Sequence, residues 1–101
     1  MNSFEKSPQF DDWLKAVKDI KAKVRILHRL TAAEQGNFGD TQPVGEGVSE
    51  MRIHYGPGYR LYYTRKESTI YLLLIGGDKS TQKRDIRRAI EMARSIGKAK
   101  R

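Results

Sequence analysis

Cysteine is missing from the chain altogether, so neither a disulfide framework nor a thiolate metal site can form, and a reducing compartment suits it. Histidine is almost as scarce. His28 and His54 are the only two, and no cluster with metal-ligand spacing surrounds either, so no metal and no cofactor is expected. Long apolar runs are absent as well. The longest strictly apolar one, Leu72 to Ile75, is far too short to span a bilayer, and the N-terminus lacks the charged-then-apolar order of a signal peptide. The expected location is therefore cytoplasmic. After Tyr71 there is no Tyr, Phe, Trp or His. Acidic residues thin out there too: within 79–101 only Asp85 and Glu91 oppose nine Lys and Arg, which places +7 of the net +8 in that segment.

What is present describes one globular unit. A length of 101 residues suits a single domain over 1–101, with a flexible basic tail expected from about 96 to 101. Trp13, three Phe and five Tyr supply core-forming bulk and argue against disorder. The basic C-terminal segment suits a polyanion or an acidic protein partner.

The pattern along the chain alternates element types. Residues 2–7 carry a weak strand signal. Ser7-Pro8 then reads as cap and first position of a helix over about 8–18, with Phe10, Trp13, Leu14 and Val17 at helical spacing. A second helix over 20–34 follows, its stripe expected from Ile20, Val24, Leu27 and Thr31, joined by Leu30. So short a break implies a helical hairpin. Residues 35–47 are rich in Gly, Asn, Asp, Thr and Pro and read as a loop.

Three strands are expected next, over about 48–55, 59–65 and 69–75. Gly56-Pro57-Gly58 turns between the first two. Residues 70–75 show no alternation, as expected of a central strand covered on both faces, and Gly76-Gly77 is expected to end it. A last helix from Ser80 or Thr81 buries Ile86, Ala89, Ile90 and Ala93 and presents Lys83, Arg84, Arg87, Arg88 and Arg94. The fold class is α+β: an N-terminal strand and helical hairpin on a small, mostly antiparallel curved sheet, with a C-terminal helix.

In a strand, residues two apart share a face. Glu50, Arg52 and His54 are therefore expected on one side of the hairpin, and Met51, Ile53 and Tyr55 on the other. The first set would meet something anionic. His54 is the side chain suited to exchange protons near neutral pH, with Glu50 as rival base. Tyr59, Leu61 and Tyr63 share a core face, whereas Tyr62 could stack on a base. The plainer reading of Arg60 is a solvated arginine, or one paired with Glu50 or Glu67.

The order of elements, the segment Asn37-Phe38-Gly39-Asp40, the run from Pro43 to Ile53, Gly56-Pro57-Gly58-Tyr59-Arg60 and Gly76 through Gln82 together resemble the RelE/ParE toxin superfamily, and within it the HigB-like "addiction module killer protein" branch. The resemblance implies the toxin of a type II toxin–antitoxin module. Its expected activity is metal-independent cleavage of mRNA in the ribosomal A site, using the substrate's own 2′-hydroxyl. Arg60 would brace the phosphate, Arg52 and Lys79 would flank it, and His54 or Glu50 would move protons. Lys83, Arg84, Arg87, Arg88 and Tyr62 would contact mRNA and rRNA. The implied partner is a cognate helix-turn-helix antitoxin, with operon DNA reached only through it and no membrane involved. The alternatives are a ParE-like inhibitor of DNA gyrase and a degenerate toxin that only binds its antitoxin.

Overall fold

The computed structural model describes residues 1–99, with side chains through 96. Nine elements follow in order: β1 (Ser3–Lys6), α1 (Pro8–Ala16), α2 (Ile20–Glu34), β2 (Thr41–Gly45), β3 (Val48–Ile53), β4 (Tyr59–Glu67), β5 (Ile70–Asp78), a 3₁₀ turn (Lys79–Thr81) and α3 (Gln82–Ala99). The five strands form one sheet in the order β1-β5-β4-β3-β2. Only β1–β5 is parallel; the other pairings are antiparallel. The α+β expectation holds. Lys100 and Arg101 of the expected tail lie outside the described residues, and the backbone is helical up to Ala99.

Local chemistry sets the helix starts. Ser7 caps α1: its hydroxyl oxygen accepts from the Phe10 amide at 2.9 Å and its hydrogen reaches the Leu74 carbonyl at 2.6 Å, so the cap also ties α1 to β5. Asp19 caps α2 through the amides of Lys21 and Ala22.

The helices cover both faces of the sheet. On one face, α1 and α2 close a core of Phe10, Ile26, Leu30, Met51, Ile53, Leu61, Tyr63 and Leu73. On the other, α3 closes a second core around Val48, Tyr62, Leu74 and Ala89. This explains the lack of alternation in β5, whose Leu73 and Leu74 enter opposite cores.

Four expectations change. The loop 35–47 contains β2, an edge strand in which Pro43 needs no ladder donor. Strand β3 ends at Ile53 rather than 55. The buried stripe of α2 is Ala22, Ile26, Leu30 and Ala33, while Ile20, Val24 and Leu27 face outward. Finally, Gly76-Gly77 continues β5 to Asp78 instead of ending it. The two glycines serve opposite faces. A Cβ on Gly76 would lie 2.1 Å from the Trp13 indole, and one on Gly77 would lie 1.9 Å from Asp85 Oδ2. Among the described residues no helix is long and apolar enough to cross a membrane.

Gly76→Ala is expected to destabilise the fold by about 2–3 kcal/mol or more, because indole and strand must separate. Gly36→Ala adds a Cβ that meets nothing, at a φ of +96°, and costs only local strain of about 1 kcal/mol. Urea denaturation of the two variants checks the order; equal losses would contradict the Trp13 contact.

Candidate functional site

The site grows from the turn between β3 and β4. Gly56 and Gly58 adopt left-handed φ values of +57° and +80°, which non-glycine residues rarely take. At Gly58 the freedom is used closely: an added Cβ would come 2.8 Å from Arg60 Nη1 and 3.5 Å from Lys79 Cβ. The turn therefore brings the Arg60 guanidinium and Lys79 to the same glycine. Arg60 Nη1 donates to the Gly58 carbonyl at 2.8 Å. Arg60 is only 8% exposed, its buried Nε has no partner, and it forms no ion pair among the described residues. Neither Glu50 nor Glu67 neutralises it.

Lys79 is held by its neighbours. The Asp78 carboxylate accepts from the Ser80 amide at 2.8 Å and its hydroxyl at 2.5 Å, which fixes the 3₁₀ turn leading into α3. Beyond it a cleft of about 430 Å³ is lined by Lys79, Gln82, Lys83, Arg84 and Arg87. Lys79, Lys83 and Arg87 have no ion pair among the described residues, whereas Arg84 lies 3.6 Å from Asp85. Arg88 is exposed on the same helix but does not line the cleft. Arg60, Lys79 and the first turns of α3 thus form one cationic corner.

Arg52 pairs with Arg60 across β3 and β4, and Arg60 with Gly77 across β4 and β5. Arg52 is not free, however. Its Nε donates to Glu50 Oε1 at 3.0 Å. Glu50 is fully buried, and its Oε2 also accepts from Tyr62 at 3.0 Å and Gln82 Nε2 at 2.9 Å. Burial opposes its ionisation, but the hydrogen bonds from Gln82, Arg52 and Tyr62 outweigh that and hold the carboxyl below the ordinary glutamate value of 4.5. Tyr62 is pushed far above the usual phenol range by burial first and by the Glu50 charge next.

These contacts correct two expectations. Glu50 is a buried structural acceptor, so a rival base in contact with ligand is ruled out for it. Tyr62 is sealed beneath α3 and cannot stack on a base. The reason is the same for both: α3 covers the sheet face that the hairpin alone would leave open.

His54 is placed apart from Glu50 and Tyr62. It lies past the end of β3, where strand parity no longer applies, and its Nε2 meets Asp40 Oδ2 at 2.5 Å. It lines a cleft against α2 with Val24, Arg25 and His28, and is not among the residues lining the α3 cleft. The hydrogen bond from His54 holds the Asp40 carboxyl below its usual range.

Sequence reading missed four residues. Arg29 donates to the carbonyls of Arg52, Phe38 and Asp40 and so fixes the end of β3. Gln82 ties the start of α3 to Glu50, and buried Asp85 accepts from Thr81 Oγ1 at 2.5 Å. The Thr81–Asp85 spacing of one helical turn was the only available signal.

Glu50→Gln is expected to cost about 1–3 kcal/mol at pH 7. The folded-state pKa of Glu50 is depressed, so its ionised form contributes stability above pH 4.5 that is lost as pH falls through the folded value. Denaturation at neutral and acid pH should therefore show the gap between parent and variant narrowing below pH 4.5. A gap independent of pH would contradict the ionised assignment.

The chain is 43% identical over 88 residues to an uncharacterized protein of Haemophilus influenzae (strain ATCC 51907 / DSM 11121 / KW20 / Rd), an alignment covering 87% of this chain and 89% of that one. Residues 12–97, which take in the end of α1, all of α2, the turn at Gly58 and the cationic corner, match the model described as "Phage derived protein Gp49-like (DUF891)". On this match the chain belongs to the phage-derived Gp49-like family.

Proposed function

We propose that the chain is the toxin of a toxin–antitoxin module and that its target is RNA, cut in translated mRNA in the ribosomal A site. The carrying observation is Arg60: a buried guanidinium with an unpartnered Nε, placed beside Lys79 by a glycine turn. A buried cation without a carboxylate is costly unless an anion completes it. A phosphodiester suits the guanidinium fork, and the cations of α3 would follow the adjoining phosphates of mRNA and rRNA. Membership of the Gp49-like family is compatible with a toxin role.

In this reading the 2′-hydroxyl of the substrate attacks the neighbouring phosphorus and the 5′-oxygen departs, leaving a cyclic phosphate. Arg60 and Lys79 stabilise the charge that grows on the phosphoryl oxygens. Glu50 positions Arg52 and the start of α3. Proton transfer falls to water or to the ribosome, since His54 belongs to the other cleft. A cytoplasmic helix-turn-helix antitoxin would keep the activity in check.

One observation favours a second reading. Among the described residues Glu50 is locked by three hydrogen bonds, and His54 lines the cleft against α2. This suits a toxin that inhibits DNA gyrase without cutting, or one that only binds its antitoxin.

Ribosome-programmed mRNA cleavage and gyrase supercoiling, assayed side by side, separate these. Cleavage is expected from the parent and should fall roughly 10²–10³-fold in Arg60→Ala. Because Arg60 is buried, exposed Lys79→Ala serves as a second variant with intact packing. Intact mRNA alongside inhibited supercoiling would establish the gyrase reading, and an equally folded Arg60→Ala chain as toxic as the parent would overturn the assignment.

A further inference from the structure

Three large apolar side chains stand in solvent on α2: Ile20 is 76% exposed, Val24 61% and Leu27 47%. Their spacing of four and three places them on one helix face. Beside them a groove of about 660 Å³ runs between α2 and the end of β3, with Ile53 at its inner wall and Lys21, Arg25, His28 and His54 along its edges. We propose that this groove docks an acidic amphipathic helix belonging to a partner protein.

The shape and the charge both select that occupant. Apolar anchors at i, i+4 and i+7 match the stripe of an incoming helix laid in a groove. Helix α2 carries Lys21, Lys23, Arg25 and Arg29 against a single acid, Glu34. The nearby carboxylates are already engaged: Asp19 caps α2 and accepts from the Tyr55 hydroxyl at 3.0 Å, and Asp40 holds His54. Incoming acidic side chains would thus meet the cations that line the groove, and among the described residues that line it no acid appears.

Other occupants fit less well. A second copy of this chain would bring a net charge of +8 against another +8. RNA would gain nothing from three apolar side chains, whereas the exposed residues at the start of α3, Lys83, Arg84, Arg87 and Arg88, are charged. A lipid surface is flat, and the groove is concave. None of the groove's lining residues belongs to the cationic corner, so the inference stands independently of what Arg60 binds.

The test uses a fluorescent synthetic peptide with leucines at i, i+4 and i+7 and glutamates on both flanks, titrated with the full chain. A control peptide has the leucines replaced by serine. Saturable binding of the first is expected, weakened about tenfold or more in the control and in the Val24→Ser/Leu27→Ser variant. Both positions are exposed, so thermal unfolding should match the parent. Lys21→Glu, which suits the first turn of a helix, should weaken binding severalfold at low salt and little at high salt. Equal affinity for the two peptides, or unchanged binding by the variants, would overturn the proposal. So would displacement of the peptide by oligouridylate, or uptake by phosphatidylglycerol vesicles through Val24 and Leu27 in place of peptide binding.

Discussion

The buried carboxylate of Glu50 is the constraint on which the rest of the structure depends. A charge sealed from water must be met by donors, and here they come from three elements: Arg52 on β3, Tyr62 on β4 and Gln82 at the start of α3. Satisfying one acid therefore fixes where α3 begins and how it sits over the sheet. It also decides which cation remains uncompensated. Glu50 takes Arg52, and Asp85 is occupied by Thr81 and lies near Arg84, so among the described residues Arg60 is left with a backbone carbonyl and no ion pair.

The glycine pair in β5 works at the same corner. Gly76 lets the Trp13 indole lie on the strand from one side, and Gly77 lets the Asp85 carboxylate approach from the other. A side chain at either position would push a helix away from the sheet. Two cores share β5 in consequence, and the molecule divides its outer surface between them. The α3 side presents charge almost alone. The α2 side combines charge with exposed apolar bulk.

Much of this was legible in the residues. The capped start of α1, the helical hairpin, the β3–β4 turn and the buried stripe of α3 all follow from local rules. The stripe of α2 misled because two stripes there have helical spacing. The larger residues Ile20, Val24 and Leu27 suggest a core, but the small Ala22 and Ala33 mark the side that approaches the sheet. Parity along β3 placed Glu50 and Arg52 correctly and failed at His54, where the strand had ended. The burial of Glu50 and Tyr62 was implied by a strand with no alternation and an amphipathic last helix, since both require the second face to be covered. The hydrogen bonds of Arg29 and Gln82 join residues far apart in sequence, and no local pattern announces them.

The parallel pairing of β1 with β5 has a consequence for how the chain is made. Ser7 caps α1 yet donates to Leu74, 67 residues further on, so the first-synthesised elements wait for the last strand before their core can close. The final helix, which completes the charged corner, emerges later still. A nascent or prematurely terminated product would thus hold a helical hairpin with its apolar underside bare and no assembled cationic corner.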